Sequence, residues 1–90
     1  MTLNIYQLKK KIIYRSSYRG TKEMDKLLGS FTKKYVNILN LKDLTDLEKL
    51  LDIDDTNLYN YYNGLDCDFE FKDNYINSLF KNFDYESEKN

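Results

Sequence analysis

Ninety residues and 10.9 kDa leave room for one domain. The chain has no histidine and a single cysteine, Cys67, which removes the commonest general base, the commonest transition-metal ligand and any internal disulfide. The net charge of -1 hides a division: residues 1–42 carry +8 and residues 43–90 carry -9.

That division has two readings. Either the molecule is a strong dipole, or its two halves attract each other across a folded interface. Composition adds a clue about origin. Pro, Trp and Ala are absent while Asn, Lys, Tyr and Ile abound, as expected of an AT-rich bacterial genome. The polar, lysine-bearing start argues against a secretory signal, and no apolar run approaches the roughly 20 residues of a membrane span.

Apolar spacing predicts helices throughout. The first runs from about Leu3 to Ser17, with Ile5, Leu8, Ile12 and Arg15 at helical spacing. The second, about Thr21 to Leu39, shows the i, i+3, i+4 pattern in Met24, Leu27, Leu28, Phe31, Tyr35, Ile38 and Leu39. Gly29 and Ser30 weaken its middle. A third begins at Asn40, spaced from Asp43 like a capping box, and buries Leu44, Leu47, Leu50 and Leu51. A fourth follows Asp54 and Asp55, buries Leu58, Tyr61 and Tyr62, and stops at Gly64. A fifth follows Asp68 and uses Phe71, Tyr75, Ile76, Leu79, Phe80 and Phe83. The expected fold is all-α, a small antiparallel bundle of about five helices in one domain, residues 1–84, with a frayed tail at 85–90. Its fourteen Tyr and Phe are expected mostly in the core.

The junction of the first two helices stands apart. Arg15, Arg19, Gly20, Glu23 and Asp25 gather there. If helical, Arg19 and Glu23 share a face and pair; Gly20 permits a tight turn or the close approach of a partner; Glu23 and Asp25 suit the positive end of a helix. A purely structural corner accounts for the same residues. Asp54 and Asp55 are read first as helix caps, with one of them bordering a docking surface as the alternative. Cys67 is read as a plain thiol.

Arg19-Gly20-x-x-Glu23-x-Asp25, preceded by Arg15, resembles the signature of the succinate dehydrogenase flavinylation factors, also called FAD assembly factors. A second segment of that family is similar to Leu50–Tyr61, Leu-Leu-Asp-Ile-Asp-Asp-Thr-Asn-Leu-Tyr-Asn-Tyr. The resemblance covers about residues 9 to 83. Tyr18 stands where the family often has a basic residue, Thr21 where it has Met, and Tyr59 and Tyr61 where Phe and Trp are usual.

The resemblance implies a five-helix cytoplasmic bacterial protein that binds the flavoprotein subunit of succinate dehydrogenase or fumarate reductase. It implies promotion of covalent FAD attachment to a histidine of that subunit. By motif match, Arg19, Gly20, Glu23, Asp25 and Arg15 are its partner-binding residues. It further implies no catalytic residue, no metal, no tightly bound cofactor and no membrane insertion, in a chain that is a monomer when free.

Two rivals are weaker. A nucleic-acid module would use Lys9, Lys10, Lys11, Lys33 and Lys34, but the pI of about 5.4 and thirteen acids in the other half oppose it. An enzyme would need a carboxylate pair, and Glu23 and Asp25, two apart on a helix, point away from each other.

Overall fold

The computed structural model describes residues 4–85. Five helices follow one another: α1 (Ile5–Ser17), α2 (Lys22–Tyr35), α3 (Leu41–Leu51), α4 (Asp55–Tyr62) and α5 (Tyr75–Lys81). No strand occurs among the described residues. The sequence expectation of a small all-α bundle holds.

Each helix starts on a polar side chain that accepts from an otherwise unpaired backbone N–H. Asn4, Thr21, Asn40, Asp54 and Asn74 do so for α1 to α5 in turn. Asn4 and Gln7 form a reciprocal capping box that the sequence reading missed. The described part of α1 begins there; Leu3, its expected start, lies outside the described residues. At the other end of α4, Gly64 adopts φ +73. There the Leu65 N–H donates to Asn60 O at 2.8 Å and the Gly64 N–H to Tyr61 O at 3.2 Å. These are the two bonds of a Schellman stop, which glycine accepts without a Cβ penalty.

The core is one cluster. Leu8 and Ile12 of α1, Met24, Leu27, Leu28 and Phe31 of α2, and Leu44, Leu47, Leu50 and Leu51 of α3 meet Leu58, Ile76, Phe80 and Phe83. Phe31 is its centre, with ring centroids 5.1 to 5.5 Å from Tyr35, Phe80 and Phe83. Gly29 lies where α2 meets α1. A Cβ there would sit 3.7 Å from Ser17 Oγ and 4.0 Å from the Ser16 carbonyl, ordinary contact distances, so the two helices pass close by without excluding an alanine.

Three expectations are corrected. The second helix ends at Tyr35, not Leu39, because the chain must turn before the Asn40 cap; Leu39 tucks inward while Ile38 is left 75% exposed. Ile5 and Tyr75 are exposed as well. The fifth helix starts at Tyr75, capped by Asn74, not directly after Asp68. Residues 66–71 alternate acids with Cys67, Phe69 and Phe71, a period of two that suits extended chain rather than helix. That segment is pinned by Asn57 Oδ1, which accepts from the Asp68 N–H at 2.9 Å, and by Phe71, stacked on Tyr61 at 3.9 Å. Tyr85, placed in the expected frayed tail, packs against the core; residues 86–90 lie outside the described residues.

Candidate functional site: the corner between α1 and α2

Residues 18–21 join α1 to α2 without helical structure, so Arg19 and Glu23 do not share a helix face. The expected Arg19–Glu23 pair is replaced by a longer reach. Arg19 Nε donates to Asp55 Oδ1 at 2.9 Å, its Nη1 to Leu51 O at 2.7 Å and its Nη2 to Ile53 O at 2.8 Å. The side chain is only 10% exposed. All three nitrogens of the fork are therefore engaged by the turn between α3 and α4. Leu51 O is one of the carbonyls that a helix end leaves unpaired, and a guanidinium there also answers the negative end of the α3 dipole. Asp55 thus anchors Arg19, while Asp54 supplies the α4 cap.

Arg15, one turn earlier on α1, reaches the same turn. Its Nη2 pairs with Asp52 and lies 3.4 Å from Leu51 O. One turn earlier again, Lys11 Nζ meets Glu48 Oε2 at 2.7 Å. Three cations at positions 11, 15 and 19 thus face three acids at 48, 52 and 55. This ladder decides the question left open by the charge division in favour of attraction across a packed interface, at least for these three cations.

Asp25 braces the corner from the other side, its carboxylate accepting from the Arg19 backbone N–H. Gly20 adopts φ +109, a conformation that costs L residues energy. A Cβ built there meets nothing within 4 Å, so the backbone faces open space. Glu23 is exposed and has no ion-pair partner among the described residues. It stands on the rim of a groove between α2 and α4, about 260 Å³, that it shares with Thr21, Met24, Asp55, Thr56 and Tyr59. The groove continues over Leu27 and Tyr62. Of the five predicted site residues, Arg19, Asp25 and Arg15 are held by the chain itself, while Gly20 and Glu23 face outward.

Tyr62, expected on the buried face of α4, and Tyr59, singled out only as a position of the second family segment, wall this groove. Their spacing from Asp55 on α4 was the available signal. Asp54, at the foot of α4, is held below the usual carboxylate range by the side chain and backbone N–H of Asn57, at 2.7 and 3.2 Å. Burial pushes the Tyr61 hydroxyl up.

The corner and the turn that anchors it both lie within residues 10–84, which match the family model described as "Flavinator of succinate dehydrogenase". The chain belongs to that flavinator family. Among relatives, it is 30% identical over 61 residues to the FAD assembly factor SdhE of Acetobacter pasteurianus, 68% of this chain and 56% of that protein. It is 39% identical over 49 residues to a mitochondrial succinate dehydrogenase assembly factor 2 of Lodderomyces elongisporus, 54% of this chain and 30% of that one. A Dictyostelium discoideum protein with the same description is 39% identical over 57 residues, 63% of this chain and 40% of its own length. The chain thus spans about a third to a half of the length of the curated relatives it matches. No solved structure matches it. Among the described residues, no helix is long and apolar enough to cross a membrane.

Proposed function

We propose that this flavinator-family chain binds the flavoprotein subunit of succinate dehydrogenase, or of fumarate reductase, and promotes covalent attachment of FAD to it. The observation that carries the reading is the family match over residues 10–84, because it includes the whole corner and its anchoring turn. The reacting histidine and the flavin belong to the partner, so a helper without a single histidine is sufficient. The chain makes and breaks no bond itself and holds no FAD of its own. It acts as a monomer in the bacterial cytoplasm, a setting suggested by the Acetobacter relative.

In this reading the five residues divide the work. Gly20 lets the partner's backbone come close, and Glu23 meets a partner cation or N–H donor. Arg19, with Asp55 behind it, fixes the corner against the α3–α4 turn; Arg15 and Asp25 hold its two flanks. A rigid notch of this kind favours one arrangement of the client and so speeds a step the client performs on itself.

The test is reconstitution of covalent flavin attachment with the purified flavoprotein subunit. Glu23→Ala lowers flavin yield and client affinity by about tenfold, the loss of one good charged contact, with unchanged circular dichroism. An unchanged yield removes Glu23 from the site. Capture of nucleic acid in place of a flavoprotein would restore the rival reading, which no finding favours.

A further inference from the structure

The charge ladder uses one side of α1 and leaves the other side unanswered. On that other side Tyr6, Ile13, Tyr14 and Tyr18 are exposed, with the Tyr14 and Tyr18 rings 4.7 Å apart and Lys10 Nζ 5.0 Å from the Tyr6 ring centre. Beside them, between α1 and α2, runs a groove of about 370 Å³. Its small lining residues are Ser16, Ser17, Gly29 and Thr32, and Ile13 and Ser17 also border the tyrosine face. Lys33 and Lys10 flank the combined surface, and no acid lines either part. Thr32 is 1% exposed, and its hydroxyl is the one buried side-chain polar atom without a hydrogen-bond partner among the described residues. A buried hydroxyl left unpaired is costly, and a helical threonine has two accessible χ1 wells, so an acceptor seated in the groove can claim it.

We propose that this α1–α2 groove binds an acidic polypeptide segment. Charge decides the occupant: the surface carries two lysines and no carboxylate to answer them. Chemistry narrows it further. Thr32 offers a donor to a carboxylate or backbone carbonyl, Gly29 and the serines let the segment's backbone approach closely, and Tyr14 and Tyr18 cover an apolar side chain beside the acid. The segment lies across a different face from Glu23 and Tyr59. The proposal therefore stands apart from the reading of the corner and uses none of its exposed contacts.

The experiment titrates the isotope-labelled full chain with a short peptide of alternating glutamate and leucine, followed by NMR. Shifts centred on Ser16, Ser17, Gly29 and Thr32 are expected, weakening as salt rises. Affinity falls about tenfold in the Lys10→Glu/Lys33→Glu double variant. It also falls in Thr32→Val, while thermal stability stays the same or rises, since an unpaired buried hydroxyl has been removed. That opposite movement separates binding from a structural role. Glu23→Ala binds the peptide like the wild type, and because no flavoprotein is present, failure here leaves the corner's reading untouched. Four results overturn the proposal: no shifts in the groove, equal binding of the glutamine-for-glutamate peptide, full affinity in both sets of variants, or tighter binding of a single-stranded oligonucleotide than of the acidic peptide.

Discussion

Arg19 shows how one side chain can brace an exposed corner from within. Its fork satisfies two carbonyls and a carboxylate at the α3–α4 turn while being 10% exposed. Removing it leaves Ile53 O and the 26%-exposed Asp55 without this donor, and Leu51 O with only the longer contact from Arg15. Arg19→Ala therefore destabilises the fold by about 2–3 kcal/mol, and Arg19→Lys, which keeps the charge but not the fork, by about 1–2 kcal/mol. Urea unfolding followed by circular dichroism checks both; equal stability of Arg19→Lys and wild type would mean the fork geometry carries no energy. By contrast, the Lys11–Glu48 rung, with its lysine half exposed, contributes under about 1 kcal/mol and weakens in salt. Gly20 makes a complementary case. Space around it is open, so Gly20→Val meets no clash, yet a β-branched residue at φ +109 costs about 1–2 kcal/mol from the backbone alone. Calorimetry on that variant reads the strain separately from any loss of client binding.

At the scale of elements, caps and turns decide where helices begin and end. Asp54 is the clearest case, because its carboxylate is held below the ordinary value of 3.8 by Asn57. A group with a depressed folded value adds stability that is complete above the ordinary value and is lost as pH falls through the folded one. The α4 helix is thus expected to loosen on acidification below about pH 4, and Asp54→Asn, which keeps a capping oxygen but cannot titrate, removes that part of the acid response. Circular dichroism across an acid titration of both proteins checks it; superimposable curves would mean the cap does not sense pH.

The helices themselves were legible because leucines at 44, 47, 50 and 51, and Met24 to Phe31, repeat at helical spacing and are all buried at those positions. The misreadings came where that pattern runs past its cause. Ile38 continues the α2 stripe, but the chain has already begun to turn toward Asn40. Phe71 and Tyr75 look like one helix face, yet the acids at 66, 68 and 70 alternate with their neighbours, and the segment bends at residues 68 and 69 without forming a helix. In the site, motif position identified the corner, but the partner of Arg19 was not readable. Asp55 lies 36 residues away, at the start of α4, and tertiary packing brings the two together. Spacing along one helix reports neighbours within it, so it favoured Glu23.

For the molecule as a whole, the Lys11, Arg15 and Arg19 pairs tie the two oppositely charged halves together. A chain of this size buries a modest share of its surface, about 60% for the smallest domains, and depends on its aromatic centre. Phe31, in contact with Tyr35, Phe80 and Phe83, carries much of that burden. Phe31→Ala is expected to cost about 3–5 kcal/mol, enough to populate the unfolded chain substantially in a domain of marginal stability; a thermal midpoint within a few degrees of wild type would contradict this.

The rigid corner remains the centre of the account, and client titration tests it most directly. Calorimetric titration of the flavoprotein subunit into wild type, Glu23→Ala and Gly20→Val, under conditions where all three are folded, should show one-to-one binding that is about tenfold or more weaker in each variant than in wild type. Equal binding by all three would show that the client docks elsewhere on the molecule.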